Sequence, residues 1–259
     1  MQALTIVKVG GKVVEEAESL ASLLRDFSSI SGPKILVHGG GRSATAMAQR
    51  LGVETKMVEG RRITDAAMLE VVTMVYAGLV NKNIVAGLQA HQQNALGMTG
   101  ADMNIIRSKK RAKGAVDYGF VGDIEAVDAK GLSQLLSAGA VPVIAPLTHD
   151  GQGQMLNTNA DTMASAVASA LSDQYRVTLV FCFELPGVLL DINDHASVIE
   201  MITPEKYRQL KSDGIVADGM IPKLDNSFAA LDKGVAQIRI TNPQGLANGE
   251  LSGTVLKLQ

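Results

Sequence analysis

No tryptophan occurs among the 259 residues, and aromatic side chains make up only 3% of them. That scarcity argues against a stacking platform for nucleic-acid bases. An excess of one charge is missing too: 24 Lys and Arg against 26 Asp and Glu leave a formal net charge of −2. A phosphate backbone therefore meets no basic footprint, and the one basic run, Lys109-Lys110-Arg111, reads as a solvated loop tip. Cysteine is reduced to Cys182, inside the apolar run Val177–Phe183. It reads as a buried strand residue in a reducing compartment, since no activating base stands near it in sequence. Long hydrophobic runs are lacking as well. Val177–Leu190 is interrupted by Glu184 and Pro186, which excludes it as a membrane span. The N-terminal apolar stretch leads straight into Lys8 and a glycine turn, without a secretory pattern. The expected location is the cytoplasm, with no membrane or nucleic-acid partner.

What is present is a folded α/β chain. Hydrophobic residues reach 46%, and mean hydropathy is positive, enough for one large domain or two small lobes. Strand-like and helix-like segments alternate, which predicts a mainly parallel sheet. Helices are expected over Glu15–Phe27, Ser43–Leu51, Asp128–Ala138, Asp161–Leu171 and Pro222–Lys233, the last with Gly234 as its cap. Thr203-Pro204 opens another. Thr64–His91 is a long helical candidate capped by Thr64 or Asp65, with apolar residues on more than one face, as for a subunit interface. Strands are expected at Leu4–Val7, Ile35–Val37, Val141–Leu147, Val177–Phe183 and, as the last core strand, Ala236–Thr241. Ile105–Val127, punctuated by Gly114, Gly119 and Gly122, reads as a hairpin excursion. A lobe boundary is expected near Leu171–Tyr175.

Two of these strands run into glycine turns: Lys8 precedes Gly10-Gly11, and His38 precedes Gly39-Gly40-Gly41. Consecutive glycines let backbone N–H groups converge on an anion, and a helix start beyond them adds its positive dipole end. Neither a Walker A sequence nor the spaced three-glycine dinucleotide fingerprint is present, so a nicotinamide-dependent oxidoreductase is disfavoured. Leu156–Asp161 brings Asn157, Asn159 and Asp161 together before an Ala-rich helix, although one cap needs only one residue. The surplus points Asn157 or Asn159 to a ligand and Asp161 to a cation. Gly219–Lys223 repeats the theme: a glycine turn, then a lysine placed against a helix dipole, where a bound anion would give it a reason.

Together, Lys8–Gly11, His38–Gly41, Gly60–Thr64, Gly97–Asp102, Gly119–Gly122, Leu156–Asp161, Gly219–Lys223 and Gly253-Thr254 resemble the amino acid kinase family along the whole chain. The order is most similar to members that phosphorylate an N-acylated glutamate. The resemblance implies a three-layer α/β/α sandwich around a mainly parallel sheet. It implies a lobe of about residues 1–172 for the acylated amino acid, and one of about 173–259 for ATP with Mg²⁺. It further implies that Lys8 and Lys223 contact the transferring phosphoryl group and leaving phosphate, with Asp161 holding both lysines. Gly10, Gly11 and Gly219 would serve the phosphates, and Gly40, Gly41, Arg62 and Asn157 the amino acid. Glu184, Gly187 and Val188 would border the nucleotide. No protein metal ligand is assigned.

A side-chain carboxylate acceptor is already ionised at neutral pH, so the implied reaction needs alignment and charge stabilisation rather than a base. His38 then reads as structural. The acyl group stays open at this level: acetyl is the family default, and succinyl needs only pocket changes. So does a non-catalytic metabolite-binding role for the same fold, which the joint presence of Lys8, Asp161 and Lys223 argues against. The sequence departs from the family at Phe183-Glu184, where a Ser/Thr-Asp pair is usual, and at Ala101, where lysine is common. Arginine-inhibited hexamers of the family carry an extra N-terminal helix. With only Met1–Ala3 ahead of the first strand, the expectation here is a homodimer that arginine does not inhibit.

Overall fold

A computed structural model describes residues 1–216 and 220–259. Among the described residues, fourteen strands follow one another. The first five are β1 (Gln2–Val9), β2 (Lys34–His38), β3 (Met57–Val58), β4 (Arg61–Arg62) and β5 (Ala95–Met98). Next come β6 (Ile106–Lys110), β7 (Gly122–Val127), β8 (Val141–Ile144), β9 (Leu147–His149) and β10 (Met155–Asn157). The last are β11 (Tyr175–Cys182), β12 (Met201–Ile202), β13 (Gln237–Thr241) and β14 (Thr254–Leu256). The helices are α1 (Gly11–Glu15), α2 (Ala17–Ser29), α3 (Gly41–Arg50), α4 (Ala66–Ala90) and α5 (Ala129–Ser137). α6 (Ala160–Leu171), α7 (Pro204–Ser212) and α8 (Met220–Asp232) complete them.

Eight strands form one sheet in the order β12-β14-β13-β11-β1-β2-β8-β5, parallel except where β14 runs against β13. Its central strands are buried on both faces, the pattern of a sheet covered by helices on each side. The two-residue pleat sorts their side chains between two apolar layers. Leu4, Ile6, Ile35, Val37, Val177, Leu179 and Phe181 enter the layer under α5, α6 and α8. Val7, Val9, Leu36, Val180 and Cys182 enter the layer under α2, α3 and α4. The expected three-layer sandwich is thus the observed fold. Cys182 is fully buried, and desolvation pushes its thiol up to about 12.

Local signals place the helix starts. Asp65 accepts the Met68 N–H at 2.8 Å, Asp128 the Gly131 N–H at 3.0 Å, and Asn159 the Thr162 N–H at 2.9 Å. Thr203 caps α7, with Pro204 in its first turn.

Three sequence expectations need correction. Lys109-Lys110-Arg111 is not a loop tip: Lys109 and Lys110 end β6, paired with β7, and Arg111 bonds Asp123 at 2.6 Å. The Val141–Leu147 run is not one strand: β8 stops at Ile144, and Leu147 opens β9 in a second sheet ordered β10-β9-β6-β7. Ala145-Pro146 sits at the break, where proline cannot donate to a ladder. β13 is not the last strand of the core sheet, because β14 returns beside it antiparallel. α4 is the longest helix among the described residues and, unlike the broken Val177–Leu190 run, is by length and composition apolar enough to cross a membrane. Its Met68, Val71, Val72, Val75, Ile84 and Leu88 are buried in the core. Its central turns, Thr73–Val80, are wound as π-helix.

Candidate active site

The carboxyl ends of the parallel strands deliver the glycine turns to one place. β1 ends at Val9, one residue after Lys8; the Gly10 N–H then donates to Cys182 O at 3.0 Å and the Gly39 N–H to Val9 O at 3.0 Å. The two turns touch. A Cβ on Gly11 would lie 3.8 Å from the Gly41 nitrogen and 3.9 Å from the Gly40 nitrogen, and one on Gly39 would lie 3.3 Å from the Gly11 nitrogen. The two turns thus bring backbone donors close together with little room for a side chain at Gly39. Gly40 has φ +152, and a Cβ there would meet the Tyr76 ring at 3.0 Å. Behind this nest lies His38, fully buried. Its Nδ1–H donates to Gly39 O at 2.7 Å, and its Nε2 accepts from Asn81 Nδ2 at 3.1 Å. Burial lowers its pKa to about 4, so the ring is neutral at physiological pH and fixed at both nitrogens.

Beside the nest lies a cavity of about 850 Å³, lined by Lys8, Gly10, Gly11, Asp161, Glu184, Gly187 and Lys223 among others. The pleat directs Lys8 to the same face as Phe181, its register partner on β11, and toward the start of α6. Its ammonium reaches Asp161 Oδ1 at 2.7 Å, with Lys8 side chain only 8% exposed. Lys223 enters from the first turns of α8; burial lowers its pKa, Asp161 opposes that effect and Lys8 adds to it. Lys8, Lys12, Arg42, Arg62 and Lys223 line this space against the carboxylates of Asp161 and Glu184, a net positive charge where a phosphate would sit.

A second cavity of about 460 Å³ shares Gly41, Arg62, Asp161 and Lys223 with the first and adds Gly40 and Asn157. Arg62 is buried, and its Nη2 donates to Gly41 O at 2.7 Å and to Thr45 Oγ1 at 2.9 Å. Asn157 Nδ2 donates to Thr64 Oγ1 at 3.0 Å. The hairpin β6–β7 clips these pieces together. Thr64 N–H donates to Tyr118 O at 2.9 Å, Phe120 N–H to Thr64 O at 2.7 Å, and Asn157 N–H to Phe120 O at 2.9 Å.

The sequence-predicted residues thus converge, with some exceptions. Asn159 lines the second cavity, with its side-chain oxygen engaged as the α6 cap. Val188 has its side chain in the core, and its N–H donates to Thr254 Oγ1 at 2.8 Å, so it supports the cavity wall without lining it. Gly219 lies outside the described residues. Glu184 is half-exposed and pairs with Lys12 at 3.5 Å. Lys12, Arg42, Thr45 and Phe183 also line the larger cavity and were not among the predicted site residues. Lys12 had a legible signal, a lysine directly after Gly-Gly at a helix start; so had Phe183, which stands where the family usually has the first residue of a Ser/Thr-Asp pair.

The amino acid kinase family model matches residues 3–242. The chain belongs to the amino acid kinase family. Relatives agree: acetylglutamate kinase of Phocaeicola vulgatus is 62% identical over 256 residues, 99% of each chain. Acetylglutamate kinase of Bacteroides thetaiotaomicron is 61% identical over 256 residues, again 99% of each. Among solved structures, N-acetylglutamate synthase from Neisseria gonorrhoeae complexed with coenzyme A and N-acetyl-glutamate has a TM-score of 0.83 at 20% identity. That match covers 99% of this chain and 59% of the other, and it speaks to the kinase fold alone.

Proposed function

We propose that this amino acid kinase transfers the γ-phosphoryl group of ATP to the side-chain carboxylate of N-acetyl-L-glutamate, as a step of arginine biosynthesis in the cytoplasm. The observation that carries the reading is the Lys8–Asp161–Lys223 constellation: all three line a cavity edged by phosphate-binding glycines, and Asp161 and Lys223 also line the one edged by Arg62 and Asn157. The identity to relatives named acetylglutamate kinase supports the choice of acceptor.

A carboxylate oxygen attacks the γ-phosphorus, the bond to the β–γ bridging oxygen breaks, and ADP leaves with that electron pair. The acceptor is ionised beforehand, so no proton has to be removed. His38, neutral and hydrogen-bonded at both nitrogens, is not asked to act as a base. Lys8 and Lys223 stabilise charge on the phosphoryl and bridging oxygens as they separate. Arg62 offers a planar fork to the acceptor's α-carboxylate, and Asn157 an amide to its acylated nitrogen. The acceptor side belongs to residues 1–172 and the nucleotide side to residues 173–259.

Mg²⁺ would arrive on the nucleotide's phosphates and neutralise their charge. Among the described residues no three His, Cys, Asp or Glu side chains converge, and the two carboxylates at the cavity, Asp161 and Glu184, each face a lysine.

The test is ADP release coupled to pyruvate kinase and lactate dehydrogenase, with hydroxylamine present to trap the acyl phosphate as a hydroxamate. N-acetylglutamate is expected to give stoichiometric ADP and hydroxamate, and free glutamate neither. Metabolite binding without ADP release would make the chain a non-catalytic member of its family. Turnover confined to N-succinylglutamate would reassign the acyl group.

A further inference from the structure

Two ammonium groups converge at the transfer point, but only one carboxylate lies between them. Lys8 is paired with Asp161 at 2.7 Å, while burial already acts against charge on Lys223 and the neighbouring Lys8 adds to that effect. Glu184 is the other acidic group nearby; it is half-exposed and pairs with Lys12, and it supports the Lys223 charge less than Asp161 does. What stands against the two lysines instead is the ring of Phe183. Lys223 Nζ lies 3.8 Å from its centroid and Lys8 Nζ 4.8 Å. Both distances fall within the range in which an aromatic face attracts a cation.

The ring is held on several sides. It stacks on Phe181, with centroids 6.1 Å apart and planes 3° from parallel. The Phe183 N–H donates to Thr241 O at 2.8 Å, and a Cβ on Gly10 would meet the ring's Cδ1 at 3.5 Å. The alternation that points Lys8 and Phe181 to one face of the sheet carries Phe183, two residues beyond Phe181, to that face as well. Phe183 therefore forms a wall of the cavity that both lysines lean on.

We infer that Phe183 is a positioning residue for phosphoryl transfer: its ring face holds the Lys8 and Lys223 ammonium groups in the transfer geometry without neutralising them. The inference rests on the reaction proposed above. A second carboxylate in this place would also gather two lysines, but it would cancel the site's net positive charge and repel the phosphoryl oxygens and the acceptor carboxylate. An aromatic quadrupole attracts cations at zero net charge. The site keeps two positive groups close together and still presents net positive charge to the phosphates.

The experiment replaces Phe183 with mono-, di- and trifluorinated phenylalanines, which keep the shape while progressively draining the negative face. Phe183→Tyr and Phe183→Leu accompany the series. Stepwise loss of kcat is expected, about tenfold at trifluorophenylalanine, with the KM for N-acetylglutamate unchanged. Phe183→Leu should fall at least as far, and Phe183→Tyr should stay near wild type. A kcat that is flat across the fluorinated series would overturn the inference even if Phe183→Leu fails to fold.

A second readout does not depend on turnover. After reductive ¹³C-methylation, the Lys8 and Lys223 methyl resonances, assigned with Lys8→Arg and Lys223→Arg, should show upfield ring-current shifts that Phe183→Leu abolishes. Resonances unmoved by Phe183→Leu would likewise refute the placement. A wild-type protein that releases no ADP with N-acetylglutamate would remove the proposed reaction, while the ring-current result would still decide where the ring holds the lysines.

Discussion

Lys8 and Lys223 differ from Arg62 in when they act, and kinetics separates the two roles. The lysines meet charge that develops during transfer, so Lys8→Ala and Lys223→Ala should each lower kcat by on the order of 10²–10³ with a smaller change in acceptor KM. An unchanged kcat would remove that lysine from the mechanism. Arg62 meets a carboxylate that is the same in ground and transition states. Arg62→Ala should chiefly raise the KM for N-acetylglutamate; a KM effect confined to ATP would mean that the two cavities have been assigned the wrong way round. His38 makes a different prediction, about stability. Its pKa is about 4 in the fold against 6.5 in the free side chain. Between those values the unfolded chain binds a proton that the folded chain refuses. His38's contribution is therefore complete above about pH 6.5 and is lost as pH falls toward 4. The displacement is linked to about 3 kcal/mol, and urea titrations across that window should show a steeper decline for wild type than for His38→Asn. Parallel curves would mean that the ring is not held neutral.

At the level of elements, the acceptor side depends on a contact that links residues far apart in sequence. Gly119 has φ +73, and a Cβ there would approach Thr64 O too closely for any side chain. Thr64 carries the hydrogen bond to Asn157 and follows Arg62 by two residues. Gly119→Ala should push the hairpin away from this strand, with backbone strain alone of roughly 1–3 kcal/mol. The expected outcome is a higher KM for N-acetylglutamate with the KM for ATP preserved, measured together with the thermal midpoint. A variant with wild-type KM would show that the hairpin does not position the acceptor side. The helices and their caps were legible because Asp65, Asp128, Asn159 and Thr203 cap through backbone groups three residues away. The β8–β9 break and the β14 return were not. Whether an apolar run continues in one sheet or crosses to another depends on which partner strands stand beside it.

For the whole molecule, α4 is the feature that reaches beyond one chain. Met74 is 54% exposed and Leu79 50%, both in the π-wound turns on the side away from the core. A second copy packed there would bury them, and two-fold closure is the commonest symmetric solution. The protein should therefore be a homodimer by light scattering, and Leu79→Asp should yield monomer. A wild-type monomer would refute the assembly. The same helix carries Tyr76 over Gly40 and Asn81 to His38, so it also forms the back wall of the glycine nest.

The sequence by itself determined the order of the elements, the sheet class and most of the residues that meet at the site. Strand periodicity, caps and glycine turns are written in neighbouring residues, and a lysine or arginine beside a glycine turn has few structural reasons to be there. Tertiary structure alone decided the rest. It joined Asn157 to Thr64, turned Asn159 into a cap, sent Val188 into the core, and brought the Phe183 ring against two lysines that lie 175 and 40 positions away in the chain. Such contacts follow from sheet register and helix packing, which bring together residues whose separation along the chain says nothing about their distance in space.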